Sequence, residues 1–150
     1  MSGLNQARAL AFAIPAALLG GAYIAQYGFG LYPCEMCWWQ RYPHFAAVAL
    51  ALASWVIVPH RVWAALAGLA IITSGLIGGF HAGVEYHWWE GITNCATTPG
   101  AGSAFDFSNV SVVRCDAAPW ELFGISLAGY NFLISTIGGI VVVALAAFRK

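Results

Sequence analysis

Apolar residues gather into four long blocks along the chain, and polar residues collect between them. The blocks run from about Ala9 to Tyr27, Tyr42 to Val58, Val62 to Gly83 and Leu122 to Phe148. A helix that crosses a bilayer needs about 20 mostly apolar residues. The pattern therefore predicts four transmembrane helices, with two longer loops at about 28–41 and 84–121 and a short Pro59-His60-Arg61 connection. The second block is the shortest, and Pro43 is expected in its first helical turn, where a missing N–H is tolerated.

Composition supports this reading. Of 150 residues, 61% are hydrophobic and 8% charged, against about 25% charged in soluble domains. Such a chain cannot coat a water-facing surface. One all-α membrane domain over residues 1–150, a four-transmembrane-helix bundle with two outer loops, is the expected fold class. The first block could instead be a cleaved signal peptide, since small residues follow its apolar core. It is long for that purpose, and its removal would free the Cys34 loop from its first anchor. The chain shows no internal repeat, low-complexity segment or Gly-rich phosphate loop. Six basic residues balance six acidic ones, so there is no nucleic-acid signal.

Charge placement gives the orientation. Four spans put both termini and the Arg61 connection on one side. That side carries Arg8, Arg61, Arg149 and Lys150, and no acidic residue. Glu35, Glu85, Glu90, Asp106, Asp116 and Glu121 fall on the other side, with only Arg41 and Arg114. The positive-inside rule makes the first side cytoplasmic. Tyr32, Trp38, Trp39, Trp88, Trp89 and Trp120 cluster near the outer ends of the spans, as an interfacial aromatic belt does. All four cysteines, Cys34, Cys37, Cys95 and Cys115, then lie outside, where disulfides persist. Three pairings are open to them. Cys34–Cys37 is the easiest to close, which would leave Cys95 and Cys115 within a loop rich in Gly, Pro, Ser and Thr.

The stretch "YPCEMCWWQRYPH" carries the chemistry. A helix N-terminus and a nearby cation both favour thiolate over thiol. Arg41 is four residues after Cys37, one turn away if the helix already includes Cys37. A small-loop disulfide beside a cation is more oxidising than a structural bridge. A structural staple is the plain alternative, but so short a loop constrains the unfolded chain little. A four-cysteine zinc site is another, but Cys95 and Cys115 lack the usual ligand spacing. No metal is expected. Arg41 taken alone reads as a snorkelling side chain, and its place beside the cysteines turns the reading toward function. His81 taken alone reads as a packed, hydrogen-bonded residue, His44 and His87 likewise, and Glu85 has no derivable role.

Three segments, "PCEMCWWQRYPH", "FHAGVEYHWWEGITNC" and "RCDAAPWELFGISLAGYN", together resemble the DsbB family of bacterial inner-membrane disulfide bond formation proteins. The resemblance covers nearly the whole chain. It implies an enzyme, a quinone-dependent protein dithiol oxidase, with N and C termini cytoplasmic and the cysteine loops periplasmic. Its partners would be a DsbA-like thioredoxin-fold oxidase, the membrane quinone pool (ubiquinone or menaquinone) and the bilayer. It implies the redox-active disulfides Cys34–Cys37 and Cys95–Cys115. Cys95 resembles the cysteine attacked by the partner, Cys115 its loop mate that passes the exchange to Cys34, and Cys37 the cysteine that reacts with quinone. Arg41 and His81 resemble quinone-site residues. Gln40 departs from the glutamate that some members carry before the arginine, and the stretch between Cys95 and Cys115 is shorter than in the best-known members. Two other classes compete: a vitamin K epoxide reductase-like thiol oxidase, which places its quinone-side pair late in the chain, and a non-enzymatic scaffold with structural disulfides.

Overall fold

The structure is a computed structural model, and it describes residues 3–93 and 113–148. Four helices account for most of it: α1 (Gly3–Gly28), α2 (Glu35–Val56), α3 (His60–Glu85) and α4 (Leu127–Phe148). A two-stranded antiparallel hairpin, β1 (Glu121–Leu122) and β2 (Ile125–Ser126), precedes α4. Helices α1, α3 and α4 are long and apolar enough to cross a membrane. Helix α2 has 22 residues, but Glu35, Gln40, Arg41 and His44 occupy its first half. Those polar positions keep it out of that class.

The bundle is packed through small residues. Ala7, Ala11, Ala47, Ala51, Ala64 and Ala67 are completely buried, while Leu52, Leu69, Leu76 and Ile137 are more than half exposed. Large apolar side chains facing outward suit lipid, and small residues inside let helix backbones approach closely, as in membrane bundles generally. Helix α3 packs most extensively against α4 and then α2. At Gly75 a Cβ would come within 2.8 Å of the Thr136 backbone nitrogen, so only glycine permits that approach.

Three features differ from the sequence expectations. Helix α2 begins at Glu35, well before Tyr42, because Cys34 caps it: Cys34 is extended and its Sγ accepts from the Cys37 backbone N–H at 3.2 Å. Glu35 in the first turn adds a favourable dipole interaction. Pro43 is therefore inside the helix, not in its first turn. The carbonyl it leaves without a helical donor belongs to Trp39, and next to it the Ser74 hydroxyl of α3 donates to the Gln40 carbonyl at 2.7 Å. Neighbouring helices and hydroxyls are what make an interior proline tolerable in such a bundle. Finally, α4 starts at Leu127 and not near Leu122, because Phe123 (φ 53°) and Gly124 (φ 74°) form a two-residue turn of the left-handed kind that closes tight hairpins. The Tyr86 hydroxyl fastens this hairpin to the end of α3, donating to Gly124 O at 3.2 Å and accepting from Ser126 N at 2.8 Å.

Candidate functional site: a buried dithiol between two cavities

Capping α2 with Cys34 brings the two thiols onto one turn. The Cys34 Sγ donates to Cys37 Sγ at 2.9 Å. Both precede the apolar part of α2. The donated hydrogen bond holds the Cys37 thiol below its ordinary value; burial opposes this, and the Arg41 charge adds to it. The same bond, then burial, pushes the Cys34 thiol up. The pair is thus polarised, with thiolate favoured at Cys37 and thiol at Cys34. Cys115 is completely buried and packs in one cluster with Cys34, Met36 and Val84. Three of the four sequence-identified cysteines therefore meet, and Cys95 lies outside the described residues.

Arg41 is 6% exposed, too little for a side chain that snorkels to water. Its guanidinium donates to Gln26 Oε1 at 2.7 Å and reaches Ala22 O at 3.4 Å, both on α1. It also lies 4.9 Å from the Trp38 ring centre and 5.0 Å from that of Tyr23, within cation–π range.

Below the dithiol runs a buried polar network that also assigns proton positions. Gln40 Nε2 donates to Met36 O at 3.2 Å and faces His81 Nδ1 at 2.8 Å, while Gln40 Oε1 accepts from Asn131 Nδ2 at 2.8 Å. Asn131 Oδ1 accepts from Ser135 Oγ at 2.7 Å and faces His44 Nε2 at 3.0 Å. The amide nitrogen of Gln40 can only donate, so His81 Nδ1 accepts and its proton sits on Nε2. That Nε2–H lies 3.6 Å from Cys34 Sγ and 3.7 Å from Glu85 Oε1, with the Cys115 backbone also within hydrogen-bonding reach of the ring.

Two cavities flank the dithiol. One, of about 250 Å³, is mostly apolar and is walled by α1 and α4, with Cys37, Arg41, His44 and Asn131 at its edge. Helix α3 contributes only His81 and Glu85 to its lining. The other, of about 290 Å³, lies under the second loop and is lined by Cys34, Val113 and Arg114. Cys37, His81 and Glu85 line both. The apolar cavity suits a flat, redox-active ring: it offers apolar walls, a buried guanidinium with a multi-donor fork, and a thiolate-prone sulfur. The Sγ atoms of Cys34 and Cys37 and Nε2 of His81 lie within 4.8 Å of one another. Among the described residues no fourth such donor joins all three.

Sequence reasoning singled out Cys34, Cys37, Cys115, Arg41 and His81, and these converge. It gave no functional role to Gln40, His44 or Glu85 and did not single out Asn131. Their signal was available: a polar or ionisable residue inside an apolar block is expensive and marks a functional site by default.

A helical bundle with a polarised dithiol buried beside an apolar cavity is the architecture of a membrane thiol-redox protein. The chain belongs to the DsbB family: residues 5–145 match the family described as disulfide bond formation protein DsbB. It is a multi-pass membrane protein of that family, whose business is disulfide bond formation. The disulfide bond formation protein B of Verminephrobacter eiseniae is 29% identical over 150 aligned residues, covering 92% of this chain and 82% of that protein. Its counterpart in Aromatoleum aromaticum is 26% identical, covering 93% of this chain and 90% of that protein. An uncharacterised Rickettsia prowazekii protein is 22% identical over 78% of this chain and 73% of its own length. No solved structure matches the chain.

Proposed function

We propose that this protein re-oxidises a DsbA-like dithiol oxidase in the bacterial periplasm and passes the electron pair to quinone in the inner membrane. The observation that carries this reading is the position of the polarised dithiol. Cys34 lines only the loop-side cavity, while Cys37 also lines the apolar one beside Arg41. A thiolate of the partner attacks Cys95 of a Cys95–Cys115 disulfide and frees Cys115. Cys115 attacks Cys34 of the Cys34–Cys37 disulfide, forming a Cys34–Cys115 bond, and Cys37 leaves as a thiolate beside Arg41. The partner's second thiol displaces Cys95 and releases the oxidised partner; Cys95 closes on Cys115 again, and Cys34 is freed as the thiol that donates to the Cys37 sulfur. Ubiquinone or menaquinone, when bound, would supply a two-electron acceptor that lets Cys34–Cys37 re-form. Toward that acceptor, Arg41 offers preorganised positive charge in a site shielded from water. The side chains of α1 and α4 exclude water and hold an apolar ring.

Purified protein mixed with a reduced DsbA-like oxidase and either quinone tests this. Oxidation of the partner should require quinone. Arg41→Lys keeps the charge but loses the planar fork, so it should raise the apparent quinone KM and leave the partner KM near normal. Partner oxidation that proceeds equally without quinone, or fails with both quinones, overturns the proposal.

A further inference from the structure

The reaction just described moves protons as well as electrons, and the structure limits which group can carry them. When the Cys34–Cys37 disulfide forms, the Cys34 S–H bond breaks, an S–S bond forms, and one electron pair leaves. Quinone taken to quinol accepts that pair and two protons. Arg41 has no acceptor site. His81 holds its proton on Nε2 because Gln40 occupies Nδ1, so the nitrogen facing Cys34 donates and cannot act as a base. The Tyr130 hydroxyl is engaged, donating to Leu122 O at 3.0 Å.

Glu85 remains. Its side chain is 3% exposed, and Oε1 lies 3.7 Å from the His81 Nε2 that also faces Cys34. Its other oxygen, Oε2, is buried without a hydrogen-bond partner. A carboxyl so placed gains or loses a proton on Oε2 without breaking a bond. Glu85 is also one of the few residues that line both cavities. The titratable and charged groups that face this region are Cys34 at the cap of α2, Cys37, Arg41 and His44 from α2, His81 from α3, Tyr32, Arg114 and Cys115 from the loops, and Tyr130 from α4. Glu121 and Ser126 of the hairpin also act on Glu85.

We propose that Glu85 is the acid–base residue of this site, taking the Cys34 proton as the Cys34–Cys37 disulfide forms and delivering it toward the electron acceptor in the apolar cavity. The second proton comes from water on the loop side. This inference rests on the quinone-linked reading. His81 is a positioning residue, holding its Nε2–H between the thiol and the carboxyl.

The test has a readout that needs no quinone. Quinone-free protein is reduced, then oxidised with diamide, and the infrared difference spectrum between the two states is recorded across pH. Wild type should show a carboxyl protonation band that is lost in Glu85→Gln. With quinone, Glu85→Gln should slow re-oxidation by about 10²-fold, the low end of general acid–base contributions, and flatten its pH profile. Glu85→Asp should recover part of the rate. An infrared spectrum unaltered by Glu85→Gln, or a wild-type rate and pH profile in that variant, overturns the assignment. Absence of quinone-dependent re-oxidation in wild type would instead overturn the function reading, with the infrared arm still reporting on Glu85.

Discussion

A sulfur that caps its own helix does two jobs, and at Cys34 they are separable. Its lone pair accepts the Cys37 backbone N–H, and its S–H points at the Cys37 sulfur. The second contact is the largest cause of the lowered Cys37 value. The sign is simple: a lowered value means that thiolate persists as pH falls below the ordinary thiol range, about 8.5, and disappears only below the shifted value. Cys34→Ser keeps a hydroxyl donor, whereas Cys34→Ala removes it. The pH midpoint for alkylation of Cys37 should therefore lie higher in Cys34→Ala than in Cys34→Ser. Equal midpoints would show that the helix terminus and Arg41 set the thiolate without Cys34.

Between elements, the contact that matters most to the site is the close approach of α3 and α4 near the polar network. A Cβ at Gly78 would meet Ala128 O at 2.9 Å, Asn131 Nδ2 at 3.0 Å and Gln40 Oε1 at 3.1 Å. Gly78→Ala should cost about 1–3 kcal/mol by overpacking and pull Asn131 away from Gln40. Gly20 of α1 has nothing within 4 Å of a built Cβ, so Gly20→Ala should be neutral or slightly stabilising. Retention of the purified proteins in the soluble, monodisperse fraction after heating compares them. Equal loss from both variants would remove the close-approach argument. The hairpin before α4 shows why element boundaries escape hydropathy: Leu122, Phe123 and Ile125 are as apolar as the helix that follows. The backbone breaks there because Phe123 and Gly124 adopt left-handed conformations and Tyr86 secures the turn from another helix.

For the whole molecule, the charge asymmetry predicts that both termini and Arg61 face the cytoplasm and both cysteine loops the periplasm. Reporter fusions after Arg61 and after Lys150 should read cytoplasmic. One near Gly102, a position outside the described residues, should read periplasmic; a cytoplasmic signal there contradicts the arrangement. Helix content, the apolar blocks and the close pairing of Cys34 with Cys37 were determined by the sequence alone. Composition, block length and the spacing of Cys34, Cys37 and Arg41 are local properties that need no fold to be read. Tertiary structure alone decided that Cys115 packs against Cys34 and that α1 and α4 wall the cavity beside Cys37. It also decided that Gln40 chooses the His81 tautomer and that Glu85 lines both cavities. Those facts join residues dozens of positions apart, and they arise from how helices pack, which no single stretch of chain encodes.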